Sequence, residues 1–182
     1  WPAMLYTIGS IVGAASVGPL WNRFGPRKAY ALSSLVFLLA TIASALAPHM
    51  GWLIAARGVQ GIAGGLVIGG GMALIIGLFD DRLRTRILAM YQGTWMIAWM
   101  LGPVVGGLFA EIGWWRGSFW ALTPFVLGFV ITAWITLPDQ LENQAQTEAK
   151  PFPVLRLAIL TSGVFCIALA GPIEDTLQRT SL

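Results

Sequence analysis

Arg57 is the one charged side chain in an apolar, glycine-rich stretch that runs from residue 51 to residue 79. Gln60 and Gly61 follow it at three and four positions, the spacing that shares a helical face. A guanidinium at bilayer depth is expensive and usually faces a bundle interior or a watery path. A fixed cation there attracts an anion or lowers the proton affinity of a neighbouring carboxylate. Arg57 lies near the start of its run, so snorkelling to the outer headgroups is the competing reading. No Asp or Glu falls inside the first five apolar runs, which leaves a proton-carrying carboxylate to sequence elsewhere.

Three further groups of residues stand out. Gly18, Asn22, Arg23, Gly25, Arg27 and Lys28 belong to GPLWNRFGPRK, read as a compact basic turn able to dock against helix ends or acidic groups. Asp80 and Asp81 are candidate partners for Arg27 and Lys28, or for Arg82, Arg84 and Arg86 just beyond them. Gly102, Pro103, Gly106 and Gly107 belong to LGPVVGG, where proline removes a backbone donor and kinks a helix between faces stripped of bulk. That pattern serves either a packing kink or a rocking interface. Gly61, Gly65 and Gly69 recur every four residues, a spacing that lets membrane helices approach closely. Met72, Met90, Met96 and Met100, with Trp95 and Trp99, form a soft surface that suits varied apolar ligands or lipid. Tyr91, Gln92 and Thr94 add a little polarity, and Trp114, Trp115 and Trp120 read as interfacial anchors.

Other chemistries find no residues. There is no P-loop lysine, no GxGxxG in a strand context, no carboxylate pair and no thiol–imidazole pair. His49 and Cys166 are single, so no metal site, cofactor or internal disulfide is expected, and Cys166 reads as inert packing in an apolar run. Basic residues sit mainly in short connectors and form no groove for nucleic acid.

The elements that position these residues are membrane helices. The chain is 57% hydrophobic and 10% charged, where a soluble domain carries about 25% charged residues. Mean hydropathy is +0.74. Six apolar spans are expected, at 3–21, 29–47, 51–79, 87–110, 117–137 and 157–173. The odd connectors (22–28, 80–86 and 138–156) carry eight Lys or Arg, the even ones (48–50 and 111–116) one. The positive-inside rule puts the odd connectors in the cytoplasm. Glu174 and Asp175 line an outer vestibule or belong to a ragged chain end. The first residues lack an initiating Met, a basic n-region and a cleavage site, so they do not read as a signal peptide; upstream sequence is expected.

In order and spacing, the segments 18–28, Arg57-Gly-Val-Gln-Gly61 and Leu101-Gly-Pro-Val-Val-Gly-Gly107, with Trp114-Trp-Arg116, resemble the N-terminal half of a major facilitator superfamily transporter. The resemblance covers about residues 1–137 and is nearest to proton-coupled drug exporters. It implies an all-α polytopic membrane protein, a partial facilitator-type bundle holding helices two to seven. Its parts would be a bundle segment over 1–137, a cytoplasmic central loop over 138–156, and a partial helix seven with tail over 157–182. It implies Arg57, Gln60 and Gly61 at a proton-coupling or cavity position, and Arg23, Gly25 and Arg27 at a cytoplasmic gate. Gly102, Pro103, Gly106 and Gly107 would shape an interface helix that limits leak. Asn22 departs from the Asp usual in the loop motif and loses a latching charge. The implied activity is antiport of protons against amphipathic or drug-like compounds, as multidrug efflux across the cell inner membrane. Its partners would be substrate, protons, lipids and the remainder of a transporter. A metabolite importer and a non-transporting fragment are the alternatives.

Overall fold

The computed structural model describes residues 2–137, and every regular element among them is a helix. In chain order these are α1 (Pro2–Ala15), α2 (Val17–Phe24), α3 (Pro26–Ala45), α4 (Met50–Leu78), α5 (Asp81–Glu111) and α6 (Gly117–Thr136). The expected sixth span at 157–173, the connector 138–156, Cys166, Glu174 and Asp175 lie outside the described residues. Four helices, α3 to α6, are long and apolar enough to cross a membrane, and α1 with α2 makes a fifth, broken span bent by 53°. The chain is therefore a polytopic helical bundle.

Two expected connectors are helical. Gly18 to Phe24 form α2, and Gly25 alone separates it from α3. Gly25 turns the chain with φ 79°, a conformation that a Cβ disfavours, and Pro26 then starts α3 with a preset φ. Likewise Arg82, Arg84 and Arg86 lie on the first turns of α5 rather than in a loop. In lipid an unpaired backbone group costs several kcal/mol, so helices extend through polar ends wherever the sequence permits. Pro103 does not break α5, which runs as one helix through it.

The span α4 is the centre of the bundle, with α1 and α3 packed on it; α6 packs against α3. Nine of the 29 residues of α4 are glycine, each about 1 kcal/mol worse than alanine in a water-exposed helix. Their use here is close approach. A Cβ on Gly61 would overlap the Tyr6 carbonyl oxygen, one on Gly65 that of Ser10, and one on Gly13 of α1 that of Ile62. Backbone thus lies on backbone along the α1–α4 crossing, the dispersion-driven contact that replaces hydrophobic exclusion inside a bilayer. Lower down, Val17 and Trp21 of α2 and Tyr30 of α3 rest against Gly69 and Gly70.

The α3 helix meets its neighbours through a small, hydroxyl-bearing face. Ser33, Ser34, Thr41 and Ser44 are buried, and each donates to a carbonyl three or four residues back on its own helix. That removes the penalty for burying them. α3 and α6 run antiparallel and are tied at both ends by an arginine. Arg27 Nη2 donates to the Trp134 carbonyl at 3.4 Å, and Arg116 Nη2 donates to the Ala47 carbonyl at 2.6 Å.

Gly25 and Gly113 are the positive-φ residues among the described ones, at 79° and 73°. Setting one on the other also superimposes Val17 on Val105, Gly18 on Gly106, Leu20 on Leu108, Lys28 on Arg116, Phe37 on Phe125 and Leu39 on Leu127. Both segments, α1–α2–α3 and α5–α6, place a positive-φ glycine between two helices, but they differ in cover: α1 is clamped on α4, whereas α5 buries none of its residues among those described.

Candidate functional site

Arg57 sits on α4 two turns beyond the helix start. His49 caps that start, its Nδ1 accepting from the Trp52 amide at 3.1 Å. The guanidinium turns into the bundle. Nη1 donates to Gln60 Oε1 at 3.2 Å, and its Cζ lies 4.6 Å from the Phe119 ring centre and 5.9 Å from that of Tyr6. Gln60 is 3% exposed and passes the chain on, its Nε2 donating to Thr41 Oγ1 at 2.9 Å. Thr41 in turn donates to the Phe37 carbonyl at 2.8 Å.

The order of this relay fixes its chemistry. The Phe37 carbonyl can only accept, so Thr41 must donate to it and offer its lone pair to Gln60. The amide of Gln60 is thereby oriented with nitrogen toward α3 and oxygen toward Arg57. The cation is held by one polar bond and two aromatic faces, with no carboxylate beside it among the described residues. A partly desolvated cation over aromatic rings gains about 1–2 kcal/mol. Gly61, directly behind, lets Tyr6 come close enough to serve as one of the faces.

One turn deeper lies an apolar cavity of about 310 Å³, lined by Tyr6, Phe37, Gly64, Val67, Ile68, Trp95, Phe125, Val126 and Phe129. Tyr6 belongs to both the cation site and the cavity. The sequence singled out Arg57, Gln60, Gly61 and Trp95. It did not single out Tyr6, Thr41, Phe119, Phe125 or Phe129, which come from three other helices. Thr41 had a signal, a polar residue in an apolar span; the phenylalanines had none.

The remaining candidates are dispersed. Gly18, Asn22 and Arg23 are on α2, with Arg23 stacked 5.4 Å from the Phe24 ring centre. Arg27 and Lys28 open α3 beside Trp134 of α6. Asp81 pairs with Arg84 at 2.8 Å. Arg84 also donates to the Ile76 and Phe79 carbonyls and so closes the end of α4. Gly102, Pro103, Gly106 and Gly107 all lie on the exposed surface of α5, and a Cβ on any of these glycines would meet open space among the described residues. Trp99, Met96 and Met100 share that surface. No group of three or more metal-ligating side chains occurs among the described residues.

The sequence profile of the Major Facilitator Superfamily matches residues 1–173. A probable multidrug-efflux transporter of Mycobacterium tuberculosis (strain H37Rv) is 43% identical over 123 residues, covering 68% of this chain and 26% of that protein. The efflux pump dotC of Dothistroma septosporum is 34% identical over 124 residues, 68% of this chain and 21% of the relative. The major facilitator superfamily multidrug transporter mfsC of Aspergillus fumigatus is 27% identical over 165 residues, 90% of this chain and 31% of the relative. The chain spans between about a fifth and a third of the length of these proteins.

Proposed function

Because the chain belongs to the Major Facilitator Superfamily, and so to secondary transporters of the membrane, we propose that it is part of a proton-coupled exporter of small amphipathic or drug-like compounds in the plasma (inner) membrane. The helices described correspond in this reading to helices two to six of the N-terminal bundle. The observation that carries it is the Arg57–Gln60–Thr41 relay: a cation kept at bilayer depth with no counter-carboxylate among the described residues. Such a cation favours the ionised form of any carboxylate brought near it. It lets go of that influence when the two bundles rock apart, which is what coupling to a proton gradient requires.

The neighbouring aromatic cavity supports apolar rather than sugar-like cargo, because it offers almost no hydrogen-bonding groups. The names of the relatives, efflux proteins in bacteria and fungi, point the same way. Gly102, Pro103, Gly106 and Gly107 fit a helix surface that meets the second bundle, and Arg23 and Gly25 fit a cytoplasmic gate.

The test is efflux by the natural full-length polypeptide in everted vesicles. Arg57→Ala is expected to lower proton-driven efflux at least tenfold while downhill substrate movement persists. Arg57→Lys is expected to recover less than half, since an ammonium is a point charge without the planar face that meets Phe119. Wild-type efflux that is indifferent to a collapsed proton gradient would sink the coupling claim.

A further inference from the structure

Tyr6 is held against α4 at both of its ends. Its backbone lies on Gly61, where a Cβ would overlap the Tyr6 carbonyl oxygen. Its hydroxyl reaches Gly64, where a Cβ would lie 3.1 Å from Tyr6 Oη and 3.2 Å from Phe37 Cε2. Between these points the ring faces Arg57 Cζ at 5.9 Å. The hydroxyl end enters the apolar cavity, which Tyr6, Phe37 and Gly64 help to line.

Two residues of the cavity lining, Tyr6 and Trp95, carry a polar side-chain atom. They are not equivalent. The Trp95 indole can only donate, and it stands on α5, which buries none of its residues among those described. The Tyr6 phenol both donates and accepts, and the glycines of α4 fix its place. The buried hydroxyls of Ser33, Ser34, Thr41 and Ser44 are all spent on carbonyls of their own helix. Among the described residues no group shares a hydrogen bond with the Tyr6 hydroxyl, and that oxygen is not sealed off from open space. We propose that Tyr6 is the specificity-determining residue of the cavity: its hydroxyl pairs with one hydrogen-bonding group of a cargo that is otherwise an apolar ring system. Phe37, Phe125 and Phe129 receive the rings, and about 310 Å³ is the lower end of the size that takes drug-like molecules. A cargo without the polar group leaves the hydroxyl unpaired in an apolar space, so the site sorts compounds by one polar atom as well as by shape. The assignment rests on the cavity holding cargo, as in the proposed function, but not on proton coupling.

The experiment measures binding rather than transport, on the natural full-length polypeptide in neutral detergent. The probes are β-naphthol and β-methylnaphthalene, which share their rings and differ by a hydroxyl in place of a methyl group. Equilibrium dialysis gives a dissociation constant for each, with uptake by protein-free micelles subtracted, and the ratio of the two is the readout. Tyr6→Phe keeps the ring, its face on Arg57 and its packing on α4, and removes the hydroxyl. One hydrogen bond is worth about 2- to 12-fold in affinity. The preference for β-naphthol is expected to fall by that factor in Tyr6→Phe, through weaker binding of β-naphthol alone. Tyr30→Phe removes a hydroxyl that lies at Gly71, outside the cavity, and is expected to leave the ratio unchanged. Val126→Trp fills the cavity and is expected to weaken both probes. No binding of β-naphthol to wild type, an equal ratio in wild type and Tyr6→Phe, an equal fall in Tyr30→Phe, or β-naphthol binding that survives Val126→Trp would each overturn the proposal. If Tyr6→Phe does not fold, Gly64→Ala decides, because its Cβ displaces the hydroxyl: a lowered ratio supports the assignment and an unchanged one overturns it. Efflux indifferent to the proton gradient, with the shift in ratio intact, would sink the coupled-exporter reading and leave the role of Tyr6 standing.

Discussion

At the residue scale the unit of function is a relay rather than a residue. Arg57 was legible because a charge within an apolar run has few explanations, and Gln60 because it lies one helical turn away. What the sequence could not say is that Thr41, nineteen positions upstream, orients Gln60, since that depends on how α3 crosses α4. The relay predicts that Thr41→Val leaves a buried amide N–H of Gln60 without its partner. Thermal unfolding is expected to register a loss of about 0.5–1.5 kcal/mol. Thr132→Val is the matched control: its hydroxyl bonds only its own helix, at the Gly128 carbonyl, and is exposed, so that variant stays within about 0.5 kcal/mol of wild type. A Thr41→Val protein as stable as wild type would mean that Gln60 finds another acceptor.

At the scale of elements, glycine acts in two ways that a composition count does not separate. On α1 and α4 it removes side-chain volume; at positions 25 and 113 it supplies a backbone angle. Gly13→Ala and Gly65→Ala therefore force two backbones apart and are expected to cost about 1–3 kcal/mol each, read by unfolding temperature. Gly77→Ala, on the same α4 but facing open space, is expected to be neutral or mildly stabilising. Gly25→Ala, which must adopt φ 79° and ψ 151°, a region that is essentially glycine's alone, is expected to cost about 1–3 kcal/mol. The four-residue glycine spacing announced the crossing but not its partner, because the small face of α1 became meaningful only against α4. The same limit explains the basic segment 18–28. Its Gly, Pro, Asn and cations read as a turn, yet the helix continues to Phe24, because Pro19 falls early in α2, where its missing N–H costs little.

At the scale of the molecule, the alternation of charge between connectors implies a span order and a direction; the described helices follow the order for the first five spans, and the direction is a prediction. Cysteine labelling checks it. With Cys166→Ser as background, Pro48→Cys is expected to react with an impermeant maleimide on intact cells and Asp80→Cys only after permeabilisation. The opposite pattern would invert the bundle. Arg57 raises a different matter, that of time. Passing an arginine into the middle of a membrane costs about 2.5–3.5 kcal/mol on insertion scales. Tyr6, which receives it directly, and Thr41, which acts through Gln60, lie upstream and are already in the bilayer when α4 emerges from the ribosome. Phe119 is synthesised 62 residues later, which at ~5–20 residues per second is a delay of roughly 3–12 s. For that interval the cation is housed on one side only. The seam on which α1 lies against the glycines of α4 is then what keeps a half-made site from slipping back out of the membrane.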